Sequence, residues 1–537
     1  MKIHQNKIIR LSALVLLVSI FVGCSKEDEV INPNSGNSGN NGGSNPSGST
    51  FDGPTYADDY TSIAGWNYRN QWNLANIHDP SVVKQGDYYY MYQTDASYGN
   101  AHDGHGHFHA RRSQDLVNWE YMGSTMDQAP TWVKDSMNNN RIAMGLPTID
   151  NPNYGYWAPY VGEVNGVYRM YYSLVVNELI LGSDDCASWG ERPYIGLMEC
   201  TDLASNNWVD KGMVITAMPD GIEDYYRDSC NDWSGYYKFN GIDPSMIITP
   251  QGEHWLIYGS WHTGIAAVQL DPTTGKPFQL DTIDDYGTRI AGRGNIALNR
   301  WQGLEGAEII YNEDTGYYYL FLAYDELSKA YNTRVARSTN ILGPYYGIDG
   351  QNVSEGAQCW PMLTHPYRFN NHTGWVGFSH CSIFKDETSQ KWYYASQARL
   401  PEGVPGINVS NAVMMGHVRE LEWTSSGWPV VAPERYAAVP ETEITEEDIV
   451  GLWEQITMDY EYQQMQTSVN VIFNSNGTLS GDISGSWSLD SNTKTLTIND
   501  NECKLFDAWD WEASPRDVTI SYSGLTTDGK PIWAKKK

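Results

Sequence analysis

Three carboxylates recur in this chain in near-matching settings. Asp79 stands in Ile77-His78-Asp79-Pro80-Ser81, Asp243 in Gly241-Ile242-Asp243-Pro244-Ser245, and Glu305 in Leu304-Glu305-Gly306-Ala307. Two further stretches, Trp157-Ala158-Pro159-Tyr160 and Ser379-His380-Cys381-Ser382, hold corresponding places. Taken alone, Asp-Pro is a turn signal. Here each stretch precedes a run of aromatic, strand-forming residues, and that shared context sets the carboxylates apart. Glycoside hydrolysis needs such a pair: one carboxyl protonates the leaving oxygen, and the other attacks the anomeric carbon or activates a water. Three carboxylates, an aromatic and an imidazole around one cavity would suit that reaction.

The elements that must position them repeat. The aromatic runs are Gly86 to Tyr92, Gly166 to Tyr172, Gly252 to Tyr258, Gly316 to Leu322 and Lys391 to Ala395. Regular self-similarity marks a repeat architecture, and five strand–turn–strand units predict an all-β, five-bladed β-propeller over residues 56–435. The innermost strand of each blade would deliver Asp79, Trp157, Asp243, Glu305 and His380 to the central channel. A second echo, at Arg112 to Trp119, Cys200 to Trp208 and Arg337 to Tyr345, reads as later strands of blades 1, 2 and 4. The repeats are long, so the excess belongs in loops, where specificity resides; no amphipathic helix is expected among them. After Pro440 the composition shifts. Short alternating runs, among them Val469 to Phe473, Thr478 to Ser480, Gly485 to Leu489 and Thr493 to Ile498, predict a small antiparallel β-barrel or sandwich over 445–537.

Composition narrows the partners. The 537 residues carry a formal net charge of -30, which argues against nucleic acid or an anionic membrane surface and favours a neutral substrate. Tyr (37) and Trp (21) far outnumber Phe (11), and each offers an apolar face with a polar handle, as sugar rings require. Residues 1–24 read as a targeting segment: Lys2, Lys7 and Arg10 precede the apolar run Leu11 to Val22. That segment ends Phe21-Val22-Gly23-Cys24, which resembles a bacterial lipobox with Cys24 as the acylated residue, and the following Ser25-Lys26-Glu27-Asp28-Glu29 resembles the acidic export signal of Bacteroidetes surface lipoproteins. An outer-membrane lipoprotein exposed at the cell surface is therefore expected, its lipid anchor in the membrane and residues 25–55 acting as a flexible tether. Six cysteines remain, without metal-site spacing. His102, His105, His107 and His109 raise a metal cluster as one reading, with a polar strand near the cleft rim as the other.

The set His78-Asp79-Pro80, Trp157-Ala158-Pro159, Ile242-Asp243-Pro244 and Glu305-Gly306 resembles glycoside hydrolase family 43, inverting enzymes on a five-bladed propeller. Within the family the chain looks most like endo-α-1,5-L-arabinanases. Asn240 to Asp243, Tyr258 to Trp261, Tyr331 to Ser338 and Gly343-Pro344-Tyr345 carry that likeness. Leu304-Glu305-Gly306-Ala307 and Gly241 depart from the commoner patterns. The resemblance implies Asp79 as general base, Glu305 as general acid and Asp243 as the group that raises the Glu305 pKa and orients it. It also implies Trp157, Asn240, Ser260 and Trp261 as substrate contacts, and His380 beside a Ca²⁺ ion. Inversion calls for carboxyls ~6.5–9.5 Å apart, to admit a water. The expected substrate is arabinan, including pectin side chains, and the expected state is a monomer. An exo-acting α-L-arabinofuranosidase or β-xylosidase on the same scaffold is the nearest alternative; an open groove would favour endo action and a closed pocket exo action. A non-catalytic surface glycan-binding lipoprotein is an alternative of another class.

Overall fold

The computed structural model describes residues 51–94, 104–177, 190–217, 238–293, 302–356, 358–369, 371–404 and 414–537. The signal segment with Cys24, the tether to residue 50, and His102, Cys186 and Cys230 lie outside the described residues.

Aromatic and β-branched residues fit a pleated, half-buried surface, and the runs seen in the sequence become second strands of five antiparallel sheets. Their inner strands are Ser81–Gln85, Tyr154–Val164, Ser245–Ile248, Leu304–Asn312 and Ser382–Lys385. Each inner strand pairs with the aromatic strand that follows it, and a third strand lies beyond, ending in the second echo at Ser113, Cys200 and Ser338. Tight turns impose the register. Asn165-Gly166 joins Val164 to Val167 with both residues at positive φ, the geometry a two-residue hairpin favours.

The inner strands neighbour one another in a closed ring, blade 5 beside blade 1. The stretch before blade 1 completes it. Ile77 N donates to Met414 O at 3.1 Å, and Gly416 N donates to Leu74 O at 2.8 Å, on the third strand of blade 5. Apolar cores fill the spaces between blades, with Tyr92, Met170 and Tyr172 between blades 1 and 2, and Ile257, Leu304 and Leu320 between blades 3 and 4.

One element departs from expectation. Thr131–Ala143 is an α-helix, and Val133, Met137 and Arg141, spaced i, i+4, i+8, form its buried side. The run Asn138-Asn139-Asn140 gives it little intrinsic helix propensity. Packing against the blade-2 region and an ion pair between Arg141 and Glu191 hold it.

The C-terminal strands close into an eight-stranded barrel, so of the two architectures expected the barrel is the one formed. Trp453, Phe473, Tyr522 and Leu496 fill it. Barrel and propeller belong to one compact unit, Phe51–Lys537. At their junction Tyr367-Arg368 pairs in parallel with Gln466-Thr467. Nearby, the buried Lys535 ammonium meets Glu434, Asp510 and Glu512 at 3.1, 2.6 and 3.2 Å. A buried cation is tolerable only with such partners. Phe51 and Tyr56 lie against Trp509 and Trp511 of the barrel.

Candidate active site

Five positions, one per blade, share an unusual backbone conformation. Asp79, Ala158, Asp243, Gly306 and His380 have φ of 43°, 42°, 54°, 56° and 51°. The left-handed region costs a non-glycine residue on the order of 1–3 kcal/mol and persists only where surroundings enforce it. Three of the five are held from the preceding blade. Asp79 N donates to Gln397 Oε1 at 2.9 Å, Ala158 N to Thr94 Oγ1 at 2.6 Å, and Asp243 N to Ser173 Oγ at 3.0 Å. Two residues further on, a second set of bonds links blades. Val161 N donates to Ser81 Oγ at 2.9 Å, Val82 N to Ser382 Oγ at 3.2 Å, and Ile383 N to Glu308 Oε2 at 3.0 Å, while Ser245 Oγ donates to Ala307 O at 2.6 Å.

This register refines the sequence alignment of the blades. Asp79, Asp243 and His380 are equivalent, but the matching residues of blades 2 and 4 are Ala158 and Gly306. Trp157 and Glu305 stand one residue earlier, at bulges where pairing shifts between Trp157 and Tyr160 and between Glu305 and Glu308. Glu305 thus reaches the cavity from a different angle than the aspartates do. Glycine at 306 follows from its neighbour as well as from φ: a Cβ there would lie 2.7 Å from the His380 ring.

The carboxylates face one another around His380. Its Nδ1 is 3.0 Å from Asp79 Oδ1, with the two side chains 13% and 17% exposed, so the pair opens toward solvent. Thr94 Oγ1 donates to Asp79 Oδ2 at 2.7 Å, and Gln397 Nε2 donates to Oδ1 at 3.3 Å. Burial opposes charge on Asp79, but the adjacent imidazolium and these bonds outweigh it and hold the carboxyl well below the usual carboxylate range. Burial likewise opposes charge on His380, and Asp79 overrides it, followed by Asp243 and Glu305, pushing the imidazole up to about 10. Glu305 goes the other way. Burial raises it first and the Asp243 charge second, to about 7, although His380 and a hydrogen bond from Tyr331 pull it down. Asp243 is also raised, by burial and then by Asp79, against the pull of His380. One carboxyl held ionised and another held protonated near neutrality is the division of labour acid–base chemistry requires.

The expected substrate contacts separate. Ser260 is fully buried, and its hydroxyl serves the carboxyls, bonding Glu305 Oε2 at 3.4 Å and also Asp243. It is a spacer between two acids rather than a cleft wall. Trp261, half-buried, lies against Gly303, where a Cβ would sit 2.1 Å from its ring, beside the approach to Glu305. Asn240 is half-buried and held by its backbone to Thr263 Oγ1 at 3.1 Å. Trp157 is half-buried on the inner strand of blade 2, opposite Ser173. The described histidines of the His-rich stretch diverge: His105 stacks on Trp66, His107 stacks on Tyr156, and His109 bonds the Tyr121 hydroxyl at 2.7 Å. His102 lies outside the described residues.

Sequence reasoning passed over several members of the site. Tyr331 OH donates to Glu305 Oε1 at 2.6 Å and lies 3.5 Å from His380 Nδ1. Thr94, Ser173 and Gln397 belong to one recurring signal, a polar residue in or just past an aromatic second strand, which could have been found. Glu308, where three other blades carry serine, is buried and pushed up to about 8, mainly by that burial. No motif announces it.

An acid and an ionised base set across a solvent-open cavity, on a five-bladed propeller, define a glycosidase of the retaining or inverting two-carboxyl type. Residues 69–429 match glycosyl hydrolases family 43, and the chain belongs to that family; residues 433–534 match a C-terminal lipocalin-like domain. The chain is 25% identical over 483 residues to extracellular endo-α-(1→5)-L-arabinanase 2 of Bacillus subtilis, covering 86% of this chain and 93% of that protein. Among solved structures it resembles a family 43 glycoside hydrolase of Bacillus licheniformis, with a TM-score of 0.65 at 26% identity, covering 86% of this chain and 98% of that one. It also resembles endo-1,5-α-L-arabinanase of Thermotoga petrophila, with a TM-score of 0.65 at 25% identity, covering 87% and 99%.

The electrostatics yield a signed expectation. The Asp243 charge favours the protonated form of Glu305, so Asp243→Asn lowers the Glu305 pKa. The alkaline limb of the kcat/KM profile, near pH 7 in the wild type, should move to lower pH in this variant; a limb that stays put or moves up refutes the coupling.

Proposed function

We propose that the protein hydrolyses internal α-1,5-L-arabinofuranosidic bonds of arabinan with inversion. The observation that carries this reading is the placement of Asp79 against His380 and of Glu305 against Tyr331 and Ser260, in a chain similar along most of its length to endo-arabinanases. Asp79, ionised and hydrogen-bonded on both oxygens, acts as general base on a water below the anomeric carbon. Glu305, protonated, delivers its proton to the leaving glycosidic oxygen, and Tyr331 and Ser260 fix the direction of its carboxyl. Asp243, accepting from Gly306 N–H and Ser260, keeps that proton in place until transfer. Trp157, Asn240 and Trp261 border the sugar site. Arabinan, a neutral polymer, suits a chain of net charge -30.

Incubation of the soluble part, from Phe51 onward, with linear arabinan should release a ladder of arabino-oligosaccharides at early times, and Asp79→Asn and Glu305→Gln should each lower turnover by at least ~10³-fold while the fold persists. Arabinose alone as product indicates the exo-acting alternative, xylose from xylan a β-xylosidase, and binding without product a glycan-binding protein. Wild-type turnover in either variant sinks the mechanism.

Calcium is part of the proposal in a limited form. Among the described residues no three His, Cys, Asp or Glu side chains group to hold a metal. Nδ1 of His380 is engaged with Asp79. An ion would bind through the other nitrogen of a neutral His380, whose Nδ1–H still donates to Asp79, with water completing the oxygen shell Ca²⁺ prefers. When bound, the ion would take the place of the imidazolium charge in keeping Asp79 ionised. Exhaustive treatment with EDTA should lower kcat, with recovery on adding Ca²⁺; unchanged activity in a metal-free protein removes the ion from the reading.

We further propose that Cys24 is lipidated and anchors the protein in the outer membrane, facing outward, with the Asn/Gly/Ser stretch as tether. The Cys24→Ala protein should leave the membrane fraction and no longer incorporate labelled palmitate; membrane retention argues against the anchor.

A further inference from the structure

The barrel reaches the catalytic face of the propeller through one loop. Between the strands Gly451–Thr457 and Gln466–Thr467 the chain extends away from the barrel, and both ends of the excursion are secured. Met458 N donates to Pro531 O at 2.8 Å, the Lys530 ammonium lies 3.1 Å from Asp459, and Gln466 pairs with Tyr367 of the propeller. Just past the Asp459 anchor stands Tyr460.

The Tyr460 hydroxyl has two partners, on the two segments that flank the acid. It donates to Asp325 Oδ2 at 2.8 Å and accepts from Gln302 Nε2 at 3.3 Å. Gln302 lies three residues before Glu305. Asp325 opens the turn from the second strand of blade 4 to Tyr331, whose hydroxyl bonds Glu305. Asp325 N donates to Gly303 O at 3.0 Å, and Asn332 Nδ2 donates both to Asp325 Oδ2 at 3.0 Å and to Ala330 O at 2.8 Å. The same turn is held a second time from the barrel loop, by Gln463 Nε2 donating to Glu326 Oε1 at 2.6 Å. The Tyr460 ring is itself clamped, with the Arg334 guanidinium 4.5 Å from its centroid and Arg334 Nε bonded to Asn332 Oδ1 at 2.8 Å. Asp325 and Tyr331 are both 1% exposed, so the turn between them is shielded from water and its bonds carry directional weight, while Tyr460, Gln302 and Glu305 are half-buried.

We propose that Tyr460 is a positioning residue for catalysis: a barrel side chain that ties the Gln302–Glu305 approach to the Asp325–Tyr331 turn and so holds the Tyr331–Glu305 hydrogen bond in line for proton delivery. The barrel thereby completes the catalytic site without touching substrate. This rests on the reading of Glu305 as the general acid. A displacement of about 1 Å in such a group costs on the order of 10²-fold in rate.

Tyr460→Phe removes the hydroxyl and keeps the ring under Arg334. In the full soluble chain, kcat on linear arabinan should fall roughly 10- to 100-fold with KM within about twofold. On an arabino-oligosaccharide bearing a 4-nitrophenyl leaving group, which needs little proton assistance, the loss should shrink below threefold by the same argument. In a Glu305→Gln background, Tyr460→Phe should add no further loss. Glu502→Gln, which disturbs the Ser425–Glu502 contact between the same two domains away from the site, should leave both activities unchanged. Wild-type kcat in Tyr460→Phe, an equal loss on both substrates, or an additive loss in the double variant overturns the proposal. If Glu305→Gln alone keeps arabinan turnover, it is the acid assignment that falls, and the two failures are told apart.

Discussion

Everything at the centre of this molecule depends on a left-handed residue at the mouth of each blade. An L-amino acid resists that conformation, and in four of the five blades a residue with a side chain adopts it. In three of these the neighbouring blade overcomes the resistance, its Gln397, Thr94 or Ser173 taking the backbone N–H. The turn has two effects. It sets Asp79, Asp243 and His380 just ahead of their inner strands and shifts the register at Trp157 and Glu305, while the serines two residues on bond outward to the next blade. It also makes the site a property of the closed ring, because the backbone at Asp79, Ala158 and Asp243 is held from the blade before. Strain of this kind persists only where the surroundings over-determine it, and here the ring supplies the constraint.

The second condition is charge. Three acidic side chains cannot all be ionised in one buried cavity without a counter-charge, and one imidazolium serves the three unequally. It sits against Asp79, whose proton is lost, and farther from Asp243 and Glu305, whose protons are retained to higher pH. The asymmetry is geometric. Asp79 and His380 occupy adjacent blades in the closed ring at the same backbone position, whereas Glu305 stands one residue earlier, behind the bulge, bonded to the Tyr331 hydroxyl. Gly306 is what lets the imidazole lie so near, since any side chain there would displace the ring.

The barrel is stitched to the propeller at several points: the Lys535–Glu434 pair, the Tyr367–Gln466 ladder, the Arg516–Asp58 pair and the Tyr460 loop all cross the junction. Buried ion pairs add little to net stability, but they tolerate little misalignment. A junction built from them fixes where the barrel sits, which matters because its loop reaches the turn that carries Tyr331.

The three candidate carboxylates, the repeat and the fold class were legible because each leaves a local trace. Asp-Pro-Ser before an aromatic strand recurs, aromatic alternation marks the strands, and Asn-Gly marks a hairpin. The helix at Thr131 was not legible, since only three buried positions and tertiary contacts sustain a polar segment. Nor were Tyr331, Glu308 and Tyr460, whose roles arise from contacts between residues 26 to 158 positions apart along the chain. Ser260 was legible as a site residue, but its bonds to Glu305 and Asp243 were not. The amino-acid sequence alone determined which chemical groups are present and the strand rhythm that spaces them, because period and turn chemistry act over a few residues. Only the tertiary structure decided which carboxyl keeps its proton, since that depends on burial, on distance to His380, and on a one-residue bulge set by a neighbouring blade.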